Sequence, residues 1–327
     1  MFNESTKKEF IRQYSESESV RTRCEKVFNT ISAYEESCGA DVSCFSEDQI
    51  KHILSEKSGL RHSSIFATVR ILNDYLSWLE RNGLSSKNSR ITFDDDDIVQ
   101  KYRNKMAFGT EHLVRYFDAV FGNISDKSVY ITYRCFLWLA FVGLDVHEAM
   151  DVRTHDVDTT SMFVRVSGRV VPLYEESIPD FAAAKTLNEF RVINPLAPDK
   201  IIMMPRDDGD RLLRRVKRSS GDNANNAQRS ISIEIPRCTK RAVDKGLVTA
   251  RLNYSNIKLS GIFYRMYIRE VAGFPVSFLS VAEAELVDDE SSGRNLSAKR
   301  SRIIKGYERD YEVWKRAYEL YVKDSHL

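Results

Sequence analysis

No run of about eighteen apolar residues occurs in the 327-residue chain, so no segment has the length and apolarity to cross a bilayer as a helix. Met1 to Tyr14 is charged and polar, without the apolar stretch of a secretory signal, and a cytoplasmic location is the expectation. Cysteine is sparse: Cys24, Cys38, Cys44, Cys135 and Cys238 form no C-x-x-C pair and no cysteine–histidine spacing. That excludes the common zinc motifs, and an odd, scattered set reads as reduced, mostly buried thiols. Neither a metal nor a cofactor is expected. Histidine is absent between His155 and His326. Neither sign of charge dominates, since 49 basic and 47 acidic residues leave a net charge of +2. A nucleic-acid-binding surface must therefore be a local one.

What is present suits two domains with real cores: 42% of residues are hydrophobic and 29% charged. The first ninety residues read as four amphipathic helices. Thr6 to Tyr14 is short. Ser19 to Ser37 carries Val20, Cys24, Phe28, Ile31 and Tyr34 on one face and stops at Cys38-Gly39. Ser46 to Gln49 is a capping-box pattern opening a third helix. From Ser64 to Arg81, Ile65, Val69, Leu72, Leu76 and Leu79 recur at helical spacing up to Asn82-Gly83. Ser85 to Asp97 is polar and without an apolar stripe. A linker over 91–98 is thus expected to divide a bundle of residues 1–90 from a second domain of residues 99–327. The carboxylates Asp94 to Asp97 suit a helix N-terminus.

The second domain is expected to be mostly helical, with a nearly all-apolar, fully buried helix around Cys135 to Val142. Met162 to Val166, Ser167-Gly168 and Arg169 to Leu173 read as a small β-hairpin. A helical pattern returns from Ser177 to Phe190, and Arg206 to Arg229 reads as a polar loop or hairpin tip. Helices are expected again at Pro236 to Leu247, Ser255 to Val271, Val276 to Leu286 and along the aromatic C-terminal stretch. The fold class is mainly α (α+β), with one small antiparallel sheet.

The stretch Trp138-Leu-Ala-Phe-Val-Gly-Leu-Asp-Val-His-Glu-Ala-Met-Asp-Val-Arg-Thr-His-Asp-Val-Asp158 resembles the tyrosine recombinases, the phage-integrase class. Their pattern is an apolar helix, Gly-Leu-Arg-x-x-Glu, and an Asp-hydrophobic-Asp lead into the hairpin. Gly143, Leu144, Glu148, Asp156 and Asp158 fit it, and Met106 to Leu113 resembles the threonine-acid helix start upstream. The N-terminal bundle, closing on Leu-x-x-Tyr-Leu-x-Trp-Leu-x-x-x-Gly83, resembles the SAM-like core-binding domain of the same proteins. The resemblance implies a tyrosine nucleophile and a phosphate held by two arginines, a lysine and a His/Trp. Such cations stabilise the transition state, and losing one donor costs about 3–4 kcal/mol.

Here those positions are altered. Asp145 stands at the first arginine, Ser255 and Lys258 stand where His-x-x-Arg belongs, and Arg169 occupies the hairpin lysine position. Arginine holds its proton too tightly to donate it. Tyr307 or Tyr311 would be the nucleophile, but Ile303, Tyr307, Trp314 and Tyr318 form a stripe that reads as core. His112-x-x-Arg115 matches the missing pair only as a string, since it lies upstream of Gly143. No catalytic residue is expected to function. An active enzyme using Arg153 or Arg134, and a partner protein of an active recombinase, stay open as alternatives.

Binding remains, and the resemblance implies double-stranded DNA as the partner. Arg211, Arg214, Arg215, Lys217 and Arg218 crowd one segment, with Arg237, Lys240 and Arg241 following and Lys258 further on. In the bundle, Lys57, Arg61, His62, Ser63, Ser64 and Thr68 surround a helix start, and Arg21, Arg23 and Lys26 form a second basic edge. Specific binding without cutting is the work of a regulator. A phage repressor on an inactive scaffold, acting on an operator in the nucleoid of a bacterial host, is the expectation. Self-association or a protein anti-repressor stays open.

Overall fold

A computed structural model describes every residue except 15, 58, 85–86, 88–89, 123–127, 195–196, 207–208, 215–223, 250, 288–295 and 326–327. The chain divides into two units: Met1–Arg103 with Ser277–Leu327, and Asn104–Val276. None of the described helices is long and apolar enough to cross a membrane.

The first unit opens with α1 (Glu4–Arg12), α2 (Glu18–Cys38), α3 (Glu47–Lys57) and α4 (His62–Arg81), the four helices that the periodicity predicts. Their ends follow local chemistry. Gly39 adopts φ +61 after α2, a left-handed conformation that a side chain would strain, and the Ala40 amide donates back to the Glu35 carbonyl at 3.1 Å. The capping box at α3 is present: the Ser46 amide donates to Gln49 Oε1 at 2.8 Å and the Gln49 amide to Ser46 Oγ at 3.2 Å. Phe10, Phe28 and Tyr75 pack edge to face at the centre. Beside them Lys7 is fully buried, 2.5 Å from Glu35 and 3.5 Å from Asp41.

The expected linker is instead part of this unit. Ile91 and Phe93 are buried, and Asn73 bonds both the amide (2.7 Å) and the carbonyl (3.0 Å) of Ile91. Asp94 and Asp97 cap α5 (Asp95–Lys105) reciprocally, each backbone amide donating to the other's carboxylate at 3.0 Å.

The second unit is built around α7 (Val129–Phe141), preceded by α6 (Thr110–Phe121). Every residue from Ile131 to Phe141 is buried. Its polar members are satisfied inside the unit: Arg134 Nε and Trp138 Nε1 both donate to Asp180, at 3.0 and 2.8 Å. After α8 (Val146–Asp151), β1 (Val157–Asp158), β2 (Phe163–Val166) and β3 (Arg169–Pro172) form an antiparallel sheet in that order. The turn pairs Val166 with Arg169, and Ser167 and Gly168 both have positive φ, as tight hairpins require.

Two expectations are corrected beyond this point. The helix expected to reach Phe190 is α9 (Ile178–Thr186), and a second hairpin follows, β4 (Glu189–Asn194) with β5 (Ala197–Pro205). Much of the loop expected from Arg206 to Arg229 lies outside the described residues, and its last part is helical, because α10 runs from Ala224 to Asp244 with Pro236 inside it. Ile231, Ile235, Cys238 and Ala242 form its buried stripe. Finally, α11 (Tyr254–Val271) crosses α7 so closely that a Cβ on Gly261 would lie 1.8 Å from the Phe141 carbonyl oxygen.

The last two helices, α12 (Leu279–Val287) and α13 (Leu296–Ser325), group with the N-terminal bundle rather than with the second domain expected to contain them. The cause is a buried polar seat. Asp310 accepts the His62 amide at 3.0 Å and Arg61 Nε at 3.2 Å, and the Arg61 guanidinium lies 4.1 Å over the Tyr307 ring.

His112 supplies a stability test in the second unit. Its Nδ1 accepts the Phe108 amide at 3.1 Å, and burial, with Arg115 adding, pushes its pKa from 6.5 down to about 4. An unfolded imidazole takes up a proton near pH 6.5 and the folded one only near 4. Stability from this residue is therefore complete above the higher value and is lost as pH falls through the window, by roughly 3 kcal/mol. Urea titrations across that range should give a shallower loss for His112→Asn, which keeps an acceptor but does not titrate. Parallel pH profiles for the two proteins would contradict the assignment.

Candidate nucleic-acid interface

Within the first unit a groove of about 800 Å³ gathers polar and basic side chains from three helices. From α2 come Arg23, Lys26 and Thr30, which share one helical face while Cys24, Val27, Phe28 and Ile31 bury the other. From the start of α4 come Ser63, Ser64 and Thr68. Gly59 permits this approach, since a Cβ there would sit 2.5 Å from Ser64 Oγ. From α13 comes Arg302. The floor is apolar, with Val27, Ile31, Ile53 and Leu54. Cations and hydroxyls above an apolar floor suit phosphate and sugar contacts.

Five of the bundle residues expected to meet DNA are thus brought together: Arg23, Lys26, Ser63, Ser64 and Thr68. Arg21 is half-buried and does not line the groove, and the Lys57 side chain lies outside the described residues. Arg61 and His62 are turned to another task. Arg61 pairs with Asp310 and Glu285. The His62 ring is buried against Phe66 at 4.1 Å, and burial, with Arg309 nearby, lowers its pKa. Both residues seat α13. Arg302 was not anticipated, although Lys299-Arg300-Ser301-Arg302 is a basic run at a helix start. The aromatic stripe further along the same helix is the stronger local signal and points to core instead.

In the second unit the positions that the resemblance sets against catalytic residues have structural occupations. The Asp145 side chain accepts the Glu148 amide at 2.8 Å, and Glu148 returns a bond from the Asp145 amide at 2.9 Å, which caps α8. Glu148 also pairs with Arg169. The Tyr254 hydroxyl donates to the carbonyls of Leu144 (3.0 Å) and Asp145 (2.9 Å), and burial beside Asp145 and Glu148 pushes its pKa up. Ser255 is exposed and Lys258 half-buried. A phosphate here would meet the Asp145 and Glu148 carboxylates, Glu148 already holding Arg169.

The tyrosines belong to the first unit. Tyr307 and Tyr311 are buried, Tyr307 donates to Glu285, and burial with that carboxylate raises its pKa. A phenol held protonated in a packed stripe is poorly placed to attack. The alternative cations are engaged too: Arg134 is buried between Asp180 and Asp118, and Arg153 pairs with Asp210 at 2.6 Å.

The basic segment after β5 is only partly described. Arg211 donates to the Met150 carbonyl at 2.9 Å and pairs with Asp151, and Arg214 donates to the Gly209 carbonyl at 2.8 Å. Arg215, Lys217 and Arg218 lie outside the described residues. On α10, Arg237 pairs with Glu234, Arg241 reaches Cys238 Sγ, and Lys240 is exposed. No group of three or more His, Cys, Asp or Glu side chains suited to a metal occurs among the described residues.

Residues 1–81 match the family of core-binding domains described as "MrpR, N-terminal core-binding domain". Among solved structures, the chain is similar to an integrase from mycobacterium phage Brujita, at 16% identity over 94% of this chain and 92% of that one, with a TM-score of 0.33. It is also similar to XerA recombinase, at 10% identity over 82% and 85% of the two chains, with a TM-score of 0.34. No curated protein matches the chain.

Asp145→Arg restores the charge of the recombinase pattern but removes a helix cap. It should lower the stability of the second unit by about 1 kcal/mol, read as a lower midpoint in thermal unfolding, and should restore no strand cleavage. An unchanged midpoint would show that the capping box contributes nothing.

Proposed function

We propose that this chain binds double-stranded DNA sequence-specifically without cutting it, as a transcriptional repressor on an inactive recombinase scaffold. In this reading it resembles the recombinase-fold master repressor of SPbeta-type phages and acts on an operator in the bacterial cytoplasm. The groove of the first unit carries the proposal: Arg23, Lys26 and Arg302 beside Ser63, Ser64 and Thr68, inside the segment that matches a core-binding domain except for Arg302. Three cations and three hydroxyls around one channel neutralise phosphates and fix register, which is the sequence-independent share of DNA affinity. The loss of cutting is supported by Asp145 and Glu148 at the phosphate position and by Tyr307 bonded to Glu285. Base reading is assigned to no residue.

The alternative, an active recombinase with a different charge set, has less support because Arg134 and Arg153 are already paired.

Two measurements test the reading. Each phosphate contact steepens the log–log salt dependence of duplex binding by about 0.9. Arg23→Ala with Lys26→Ala should flatten that slope by roughly 1–2 units and weaken operator and scrambled duplex alike. An unchanged slope and affinity would remove the groove from the interface. In the second measurement, wild-type protein on nicked operator duplex should form no 3′-phosphotyrosine adduct. An adduct abolished by Tyr307→Phe or Tyr311→Phe would establish the alternative.

A further inference from the structure

A second concavity lies wholly within the second unit and is used by nothing described above. It measures about 520 Å³ and opens between α7, α8, α10 and the segment leading into α11. Its walls are apolar: Phe136 and Leu137 from α7, Val146 from α8, Ile235 from α10, and Leu252. Positive charge sits around them. Lys240 and Arg251 line the cavity, both side chains are exposed, and neither forms an ion pair with a described residue. The cavity also contains Asn253 and Tyr254, the cap and first residue of the eighteen-residue α11, whose N-terminus carries a partial positive charge. Ser232 and Pro236 are lining residues as well.

An apolar chamber of a few hundred Å³ with a few convergent polar groups has the proportions of a small-molecule site. The charge pattern selects the occupant. We infer that this cavity binds a small amphiphilic anion, its apolar body against Phe136, Val146 and Ile235 and its anionic head between Lys240 and Arg251. A neutral apolar molecule would make no use of either cation, and a compact inorganic anion would make no use of the apolar walls. Binding of such a molecule to a DNA-binding protein is the chemistry of an effector site. The inference does not depend on the first unit's groove, and it can be tested without DNA.

Decanoate is a suitable probe, with decanol as its uncharged counterpart and inorganic phosphate as a head group without a body. Isothermal titration of the full chain should show saturable decanoate binding at one site, at least tenfold weaker binding of decanol, and none of phosphate. Lys240→Gln with Arg251→Gln should weaken decanoate binding tenfold or more while leaving decanol unchanged. Ser232→Trp, at an exposed rim position that leaves the core untouched, should block both ligands; an unchanged thermal midpoint for each variant shows that it folds. The inference is overturned by the absence of saturable decanoate binding, by equal affinity for decanol, by phosphate binding as tightly as decanoate, or by decanoate binding that the double variant leaves intact.

Discussion

α4 begins without a side-chain cap of its own: Arg61 precedes it and offers no acceptor to the first amides. The acceptor comes instead from a carboxylate 248 residues later in the chain, Asp310, which takes the His62 amide and the Arg61 guanidinium together. A negative charge at a helix N-terminus is favourable, and here it is almost fully buried, so it is also costly to leave unmatched. Burial pushes the Asp310 pKa up while the His62 amide and Arg61 pull it down, so the carboxylate is held by its partners rather than by water. The packing of α13, the position of Arg302 and the third wall of the basic groove all follow from this seat.

The same arrangement changes what the start of α4 can offer a phosphate. The sequence suggested backbone amides and the helix dipole as the attraction. With Asp310 already on the His62 amide, part of that positive end is neutralised inside the protein. What faces the groove is the hydroxyls of Ser63, Ser64 and Thr68 with the charges of Arg23, Lys26 and Arg302. Attraction at this surface is thus carried by side chains, which are screened by salt more readily than a buried group would be.

Where one face of an element is apolar, the sequence was a good guide. The four N-terminal helices, the buried α7 and the β2–β3 turn at Ser167-Gly168 all follow from spacing and turn chemistry. It failed where packing overrode a local signal. Pro236 reads as a helix start and the polar residues up to Arg229 as a loop, yet Ile231, Ile235, Cys238 and Ala242 keep a stripe at spacings of four, three and four that carries the helix through the proline. Pro198 and Pro205 likewise obscured the strand that contains them. Half of the groove was legible, because serines and basic residues around a helix start carry a local meaning. Arg302 and the redirection of Arg61 and His62 were not, since both depend on which distant helix the bundle recruits. Asp145 was recognised as a reversed charge, but its capping of α8 is a property of backbone geometry.

The first unit is discontinuous, and synthesis is vectorial. α1 to α5 leave the ribosome first, but α12 and α13 follow only after all of Asn104–Val276 has been made. At about 5–20 residues per second that interval is on the order of ten seconds or more. Through it, the His62 amide lacks Asp310 and the groove lacks Arg302. A nascent or prematurely terminated chain therefore has an incomplete groove. Completion of translation is therefore what completes the groove, and a truncated chain keeps only the walls supplied by α2 to α4.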